Sequence, residues 1–111
     1  MTTSRLLTIE SRIDPAGHTL VVTGEVDMAT APQLRQEILG RLWSAETLFL
    51  DLSGVSFMGL DGVHVLVASQ RRAGLLDKQI VVSRASSAVT RVLDLTGTSP
   101  MFATGWRRAT Q

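Results

Sequence analysis

Apolar and polar residues alternate at the start of the chain. Leu7, Ile9, Ser11 and Ile13 fall on one side, and Thr8, Glu10 and Arg12 on the other. This period of two predicts a half-buried strand. Asp14-Pro15-Ala16-Gly17 is a turn signal, because proline presets φ and glycine supplies a permissive position. A second strand is expected from Thr19 to Val26, with Leu20 and Val22 on one face, so the two form an antiparallel hairpin. After Asp27 the period becomes helical. Thr30-Ala31-Pro32-Gln33 has the T-x-x-Q form of a capping box with proline in the first turn, and Leu34, Ile38, Leu39, Leu42 and Trp43 follow at helical spacing.

The next apolar run, Leu48, Phe49, Leu50 and Leu52, predicts an interior strand over Thr47 to Leu52, stopped by Ser53 and Gly54. A loop from Val55 to Gly59 should lead into a helix from Asp61 to Ala73. Asp61 is its expected N-cap, Gly74 its C′ residue, and Arg71 and Arg72 suit its negative end. Gln79 to Ser83 reads as another interior strand. Ser86 or Ser87 should cap a last helix, with Val89, Val92 and Leu93 on its buried face and Gly97 at its end. Met101 to Thr104 suggests a short final strand, and the tail from Arg108 on is expected to be dispensable for folding. The order β β α β α β α describes a single α/β domain over residues 1–111. Its sheet should be mixed and mostly parallel, with 4–5 strands, an N-terminal antiparallel hairpin and 3–4 helices. Leu50, Leu66, Val81 and Val92 are expected to share the interior, and His18 to be exposed.

Composition narrows the chemistry. A chain of 111 residues is long enough to bury one core unaided, and with no cysteine it has neither disulfides nor thiolate ligands. The N-terminus lacks the apolar core of a signal peptide, and no run approaches a membrane span, so a cytoplasmic protein is expected. Net charge is +1 but unevenly placed: residues 1–69 hold four basic and eight acidic side chains, residues 70–111 seven and two. No aromatics interleave with the basic residues and no DNA-reading motif occurs, which argues against nucleic-acid binding.

Candidate catalytic groups are few. Asp61 and His64 lie three apart on one helical face, but a dyad needs a placed nucleophile or metal that the sequence does not offer. There is no phosphate-binding glycine motif and no nucleophile elbow. Glu25 and Asp27 could share a strand face, yet two acids alone are weak evidence of a metal site. Asp51 at a strand end resembles the phosphorylated aspartate of a receiver domain. The acids that would hold its Mg²⁺ belong after the first strand, where Asp14-Pro15 forms a hairpin turn instead, and Lys78, the one lysine, precedes its strand instead of ending it. No catalytic residue, cofactor or metal is therefore expected.

Three stretches together resemble the anti-sigma-factor antagonist family, the STAS domain. Gly24-Glu25-Val26-Asp27 is similar to its G-E-[LV]-D segment. Asp51-Leu52-Ser53 through Phe57-Met58 to Gly62 is similar to its D-L-S…F-[ML]-D-S-[ST]-G loop. Ser86-Ser87-Ala88-Val89 through Arg91-Val92-Leu93-Asp94-Leu95-Thr96-Gly97 is similar to its S-P-x-V-x-R-[LV]-[LF]-x-[LIM]-[ST]-G helix. The resemblance implies a regulatory module without catalysis. It would dock on a kinase-type, ATP-binding anti-sigma factor, as a monomer or weak homodimer and without membrane insertion. The implied contacts are Glu25, Asp27, Met28, Phe57, Met58, Gly59, Leu60, Asp61, Gly62 and His64, with Met58 equally suited to filling a core gap. In the family the kinase phosphorylates the second hydroxyl residue of D-S-[ST]-G. Here Gly59, Leu60 and Asp61 occupy those three positions, so Asp61 either imitates phosphoserine or serves as a cap and contact. The alternative is a stand-alone STAS subunit of another assembly, such as a lipid-transport ATPase or a stress-sensing complex.

Overall fold

The computed structural model describes residues 7–15 and 17–102. Strands β1 (Leu7–Asp14) and β2 (Gly17–Val26) form the expected antiparallel hairpin, in register from Leu7 opposite Gly24 to Asp14 opposite Gly17. Gly17 has φ +134°, a conformation that favours glycine, and its N–H donates to Asp14 Oδ1 at 3.2 Å. Helix α1 (Ala31–Leu42), strand β3 (Thr47–Met58), helix α2 (Leu60–Leu75), strand β4 (Gln79–Ala85) and helix α3 (Ser87–Leu95) follow. A 3₁₀ turn over Ser99–Met101 ends the described chain. The four strands stand in the order β1-β2-β3-β4, with β2–β3 and β3–β4 parallel. The single α/β domain with a mixed sheet is as expected.

The register explains the core. His18, Leu48 and Ile80 form one row across β2, β3 and β4, and Leu20, Leu50 and Val82 the next. These rows bury against Leu34, Ile38 and Leu42 of α1 and against Val63, Leu66 and Ala73 of α2. Val81 lies one residue out of phase and is half-buried, and Val92 is also half-buried, beside the stripe of Val89 and Leu93. The interior position expected at Val81 is thus supplied by Ile80 and Val82, because a single strand step turns a side chain to the other face, while Val92 packs against the core from its margin. In β1 only Leu7 and Ile9 join the core, and Ile13 is 76% exposed.

The largest departure is β3, which does not stop at Leu52. It runs through Ser53 and Gly54 to Met58. Two irregularities in its pairing with β2 move the buried positions from Leu48, Leu50 and Leu52 to Val55 and Met58. The spacing of two becomes three, which erases the alternation by which a strand is read. At the first irregularity Gly54 is needed: an added Cβ would stand 2.9 Å from Thr23 Oγ1.

Helix ends also differ from expectation. Thr30 is the N-cap of α1 by position, but its side chain makes no capping bond. Its hydroxyl donates to Glu25 O at 2.8 Å and accepts from the Asp27 N–H at 3.0 Å, and the Gln33 amide reaches Leu7 O at 3.5 Å. No capping box forms. α2 starts at Leu60 with Gly59 as N-cap, so Asp61 is a first-turn residue instead. Its last turn includes Gly74, and the left-handed position past the end falls to Asp77, φ 58°. Lys78 Nζ donates to Leu42 O, capping α1 from across the bundle. Ser86 caps α3 as expected, accepting from the Val89 N–H at 3.2 Å while donating to Val55 O at 2.6 Å, and Gly97 (φ +70°) ends it. Met101 lies in the 3₁₀ turn, not in a strand. Thr104 and the tail from Arg108 lie outside the described residues.

His18 is buried, not exposed: only 8% of it is accessible, and neither ring nitrogen has a hydrogen-bond partner among the described residues. Its place in the row with Leu48 and Ile80 forces this, since one face of β2 packs under the helices.

The packing predicts a contrast. Leu66→Ala should cost about 2–5 kcal/mol in urea unfolding, because a cavity opens at a fully buried site. Val81→Ala should cost only about 1 kcal/mol, since its side chain is half-accessible. Equal losses at the two positions would contradict the observed face assignment.

Candidate functional site

The C-terminal ends of β2 and β3 bring two loops together. The Gly59 N–H donates to Val26 O at 2.9 Å, joining the start of α2 to the end of β2. Gly62 sits on this junction. A Cβ there would lie 2.8 Å from both Met58 Cγ and Val26 Cγ1, so only glycine lets the first turn of α2 rest on the sheet. Gly62 is buried and Met58 is 4% exposed. Met58 thus fills the core, and Gly62 makes room for it.

Asp27 is also committed. Its Oδ1 accepts from the Ala29 N–H at 2.9 Å and the Thr30 N–H at 3.0 Å, folding residues 27–30 into a tight turn ahead of α1. Half-buried and hydrogen-bonded, this carboxylate shapes the loop before it can meet a partner.

The remaining candidates face outward. Met28 is 77%, Phe57 51% and Leu60 60% accessible, and Glu25, Asp61 and His64 are exposed. Glu25 stands opposite Phe57 in the β2–β3 register. Gly59 is half-buried beside the Phe57 ring, whose Cε2 would lie 3.5 Å from an added Cβ. Asp61 carries its charge in the first turn of α2, where the free N–H groups and the helix dipole favour an anion. No ion pair or hydrogen bond joins it to His64, and no cluster of three metal-ligating side chains exists among the described residues.

Two open grooves flank this end. One, of about 450 Å³, runs along α2 past Leu60, Val63, His64, Val67 and Arg71 to Thr98. The other, of about 320 Å³, lies between Phe57 and the α3 residues Ala88, Arg91, Val92 and Leu95. Sequence reading missed the α3 contribution. Leu95, 79% accessible, is the signal it had: an apolar residue off the Val89–Leu93 stripe. Among the described residues no helix is long and apolar enough to cross a membrane.

The family model "Mlab, STAS domain" matches residues 9–101, and the chain belongs to that family. Among curated relatives it is similar to the anti-sigma-F factor antagonist RsfB of Mycobacterium tuberculosis. The two are 35% identical over 85 residues, covering 75% of this chain and 68% of that one. It is 27% identical to the anti-sigma-B factor antagonist of Staphylococcus aureus over 93 residues, 82% of this chain and 85% of the relative. Among solved structures it resembles an anti-sigma factor antagonist from Mycobacterium paratuberculosis, with TM-score 0.78, 33% identity, and coverage of 86% of this chain and 82% of that chain.

The junction predicts a separation of effects. Gly62→Ala should destabilise the fold by about 1–3 kcal/mol, because the added methyl meets Met58 and Val26. Asp61→Ala should cost only about 0.3–1 kcal/mol, the worth of a first-turn charge and less than that of a cap. Chemical denaturation of both variants measures the difference, and a larger loss at Asp61 than at Gly62 would contradict it.

Proposed function

We propose that the chain is an anti-sigma factor antagonist, a binding module without catalysis that acts in the cytoplasm on a kinase-type, ATP-binding anti-sigma factor. One observation carries the reading: large apolar side chains stand exposed at the end of a well-packed sheet, with Phe57 51% and Leu60 60% accessible. Glu25, Asp61 and His64 rim them with charge and polarity. An apolar centre with a polar rim is the anatomy of a protein-binding surface. Curated relatives that bear the antagonist name match over most of the chain and lend the reading its direction.

Asp61 stands where the resemblance puts the phosphoacceptor. A Ser/Thr kinase needs a hydroxyl nucleophile, and a carboxylate offers none, so partner binding is independent of phosphorylation at this position. The carboxylate also makes a poor phosphoserine: one charge and two oxygens, against about −1.5 to −2 and three. Its exposure beside Leu60 suits a direct contact better.

Titration calorimetry with the anti-sigma factor tests this. Phe57→Ala and Leu60→Ala should each weaken binding about tenfold or more, equal to about 1.4 kcal/mol. Asp61→Ser should keep the fold and leave binding unchanged or weaker. A tenfold tightening would instead mark Asp61 as a phosphoserine imitation. Purification from cells that returned a transporter ATPase and no kinase-like or sigma-linked partner would replace this reading with that of a STAS subunit of another assembly.

A further inference from the structure

The two edges of the sheet are finished differently. On β4 the Gln70 side chain closes the outer edge: its Oε1 accepts from the Ile80 N–H at 3.1 Å, and its Nε2 donates to Ile80 O at 2.9 Å and to Met101 O at 2.8 Å. A side-chain amide thus satisfies the backbone of this edge at Ile80. On β1 the outer edge has no strand partner among the described residues, and everything after Ile9 is exposed. Such an edge is a template for another strand. The residues along it, Glu10-Ser11-Arg12-Ile13, are self-complementary.

We propose that β1 is a homodimer interface, in which two copies of the chain pair their β1 strands antiparallel about a two-fold axis at Ser11. The register follows from the face rule, from charge and from overlap, since an axis at Ile9 or Ile13 pairs less of β1 (Leu7–Asp14) than one at Ser11. A two-fold axis perpendicular to the sheet keeps each face continuous, so opposed residues must have the same parity in sequence. An axis at Glu10 places Glu10 against Glu10, and one at Arg12 places Arg12 against Arg12; both set like charges directly opposite. An axis at Ser11 places Glu10 opposite the partner's Arg12, twice by symmetry. It also sets Ile9 opposite the partner's Ile13, covering an apolar side chain that is 76% exposed in the single chain. Neither Glu10 nor Arg12 has an ion-pair partner within the described chain, and their neighbours on β2 are Val21 and Thr19. Their charges are thus available to each other across the axis. The contact is isologous and closes on itself as one eight-stranded sheet. The strand pairing itself is made through β1 alone, with β2 and β3 inside the sheet.

Analytical ultracentrifugation of the full chain from about 1 μM to about 1 mM should show reversible dimerisation. Glu10→Arg alone and Arg12→Glu alone should each weaken the dimer about tenfold or more, and the double exchange should restore it. Circular dichroism checks that each variant folds. An independent measurement uses the natural lack of cysteine. Under a mild oxidant Ser11→Cys should cross-link to a covalent dimer, since directly opposed strand residues lie within disulfide reach. Thr8→Cys should not, because the same register holds two copies of residue 8 about 20 Å apart. A chain that stays monomeric at every concentration overturns the proposal. So does a dimer that ignores the single charge reversals, or one in which Thr8→Cys cross-links as readily as Ser11→Cys.

Discussion

The bulged parallel pairing of β3 with β2 governs the rest of this structure. β3 is an interior strand, hydrogen-bonded to β2 on one side and β4 on the other, and its apolar side chains sit at the centre of both buried rows. Each irregularity advances the chain by one residue without breaking the ladder, so Val55 and Met58 still point inward after the alternation has shifted. The pairing ends where the Gly59 N–H meets Val26 O. From there α2 can begin only against Met58 and Val26, and the missing side chain of Gly62 allows it. The direction of α2, and with it the position of Leu60, Asp61 and His64, is set by that contact.

Buried and exposed residues stand side by side here. Met58 and Gly62 are buried and hold the junction, while Phe57, Leu60 and Asp61 alternate with them and face out. Asp27 and Thr30 lock the adjacent loop, although the sequence offers Asp27 as a partner contact and Thr30 as a helix cap. A rigid base carrying exposed apolar groups is the arrangement that limits the ordering cost of association. The same rigidity lets a charge at position 61 change the surface without disturbing the fold.

Both edges of the sheet bear on how this module meets other molecules. Gln70 satisfies the backbone of Ile80 and anchors Met101 in one step, so α2 covers the β4 edge at Ile80. The hairpin edge has no such cover among the described residues, and its charges alternate in sign. A pairing there would add a strand to β1 and leave β2, β3 and β4 inside one continuous sheet.

What could be read from the sequence was local. The period of two in Leu7–Ile13, the turn at Asp14–Gly17, the helical spacing of Leu34, Ile38 and Leu42, and the caps at Ser86 and Gly97 each depend on residues within a few positions, and each appears in the structure. The alternation of strands and helices was enough for the α/β class and the hairpin edge. What only the tertiary structure decided depends on partners far along the chain. The extension of β3 to Met58 rests on register with β2, and bulges leave no periodic trace in the strand that carries them. The burial of His18 follows from its row with Leu48 and Ile80, and that of Met58 from its contact with Gly62 and Val26. Asp61 lost its role as a cap because Gly59, pinned to Val26, starts the helix earlier. A side chain's chemistry is written in its own position, but the face it presents is set by the strand beside it.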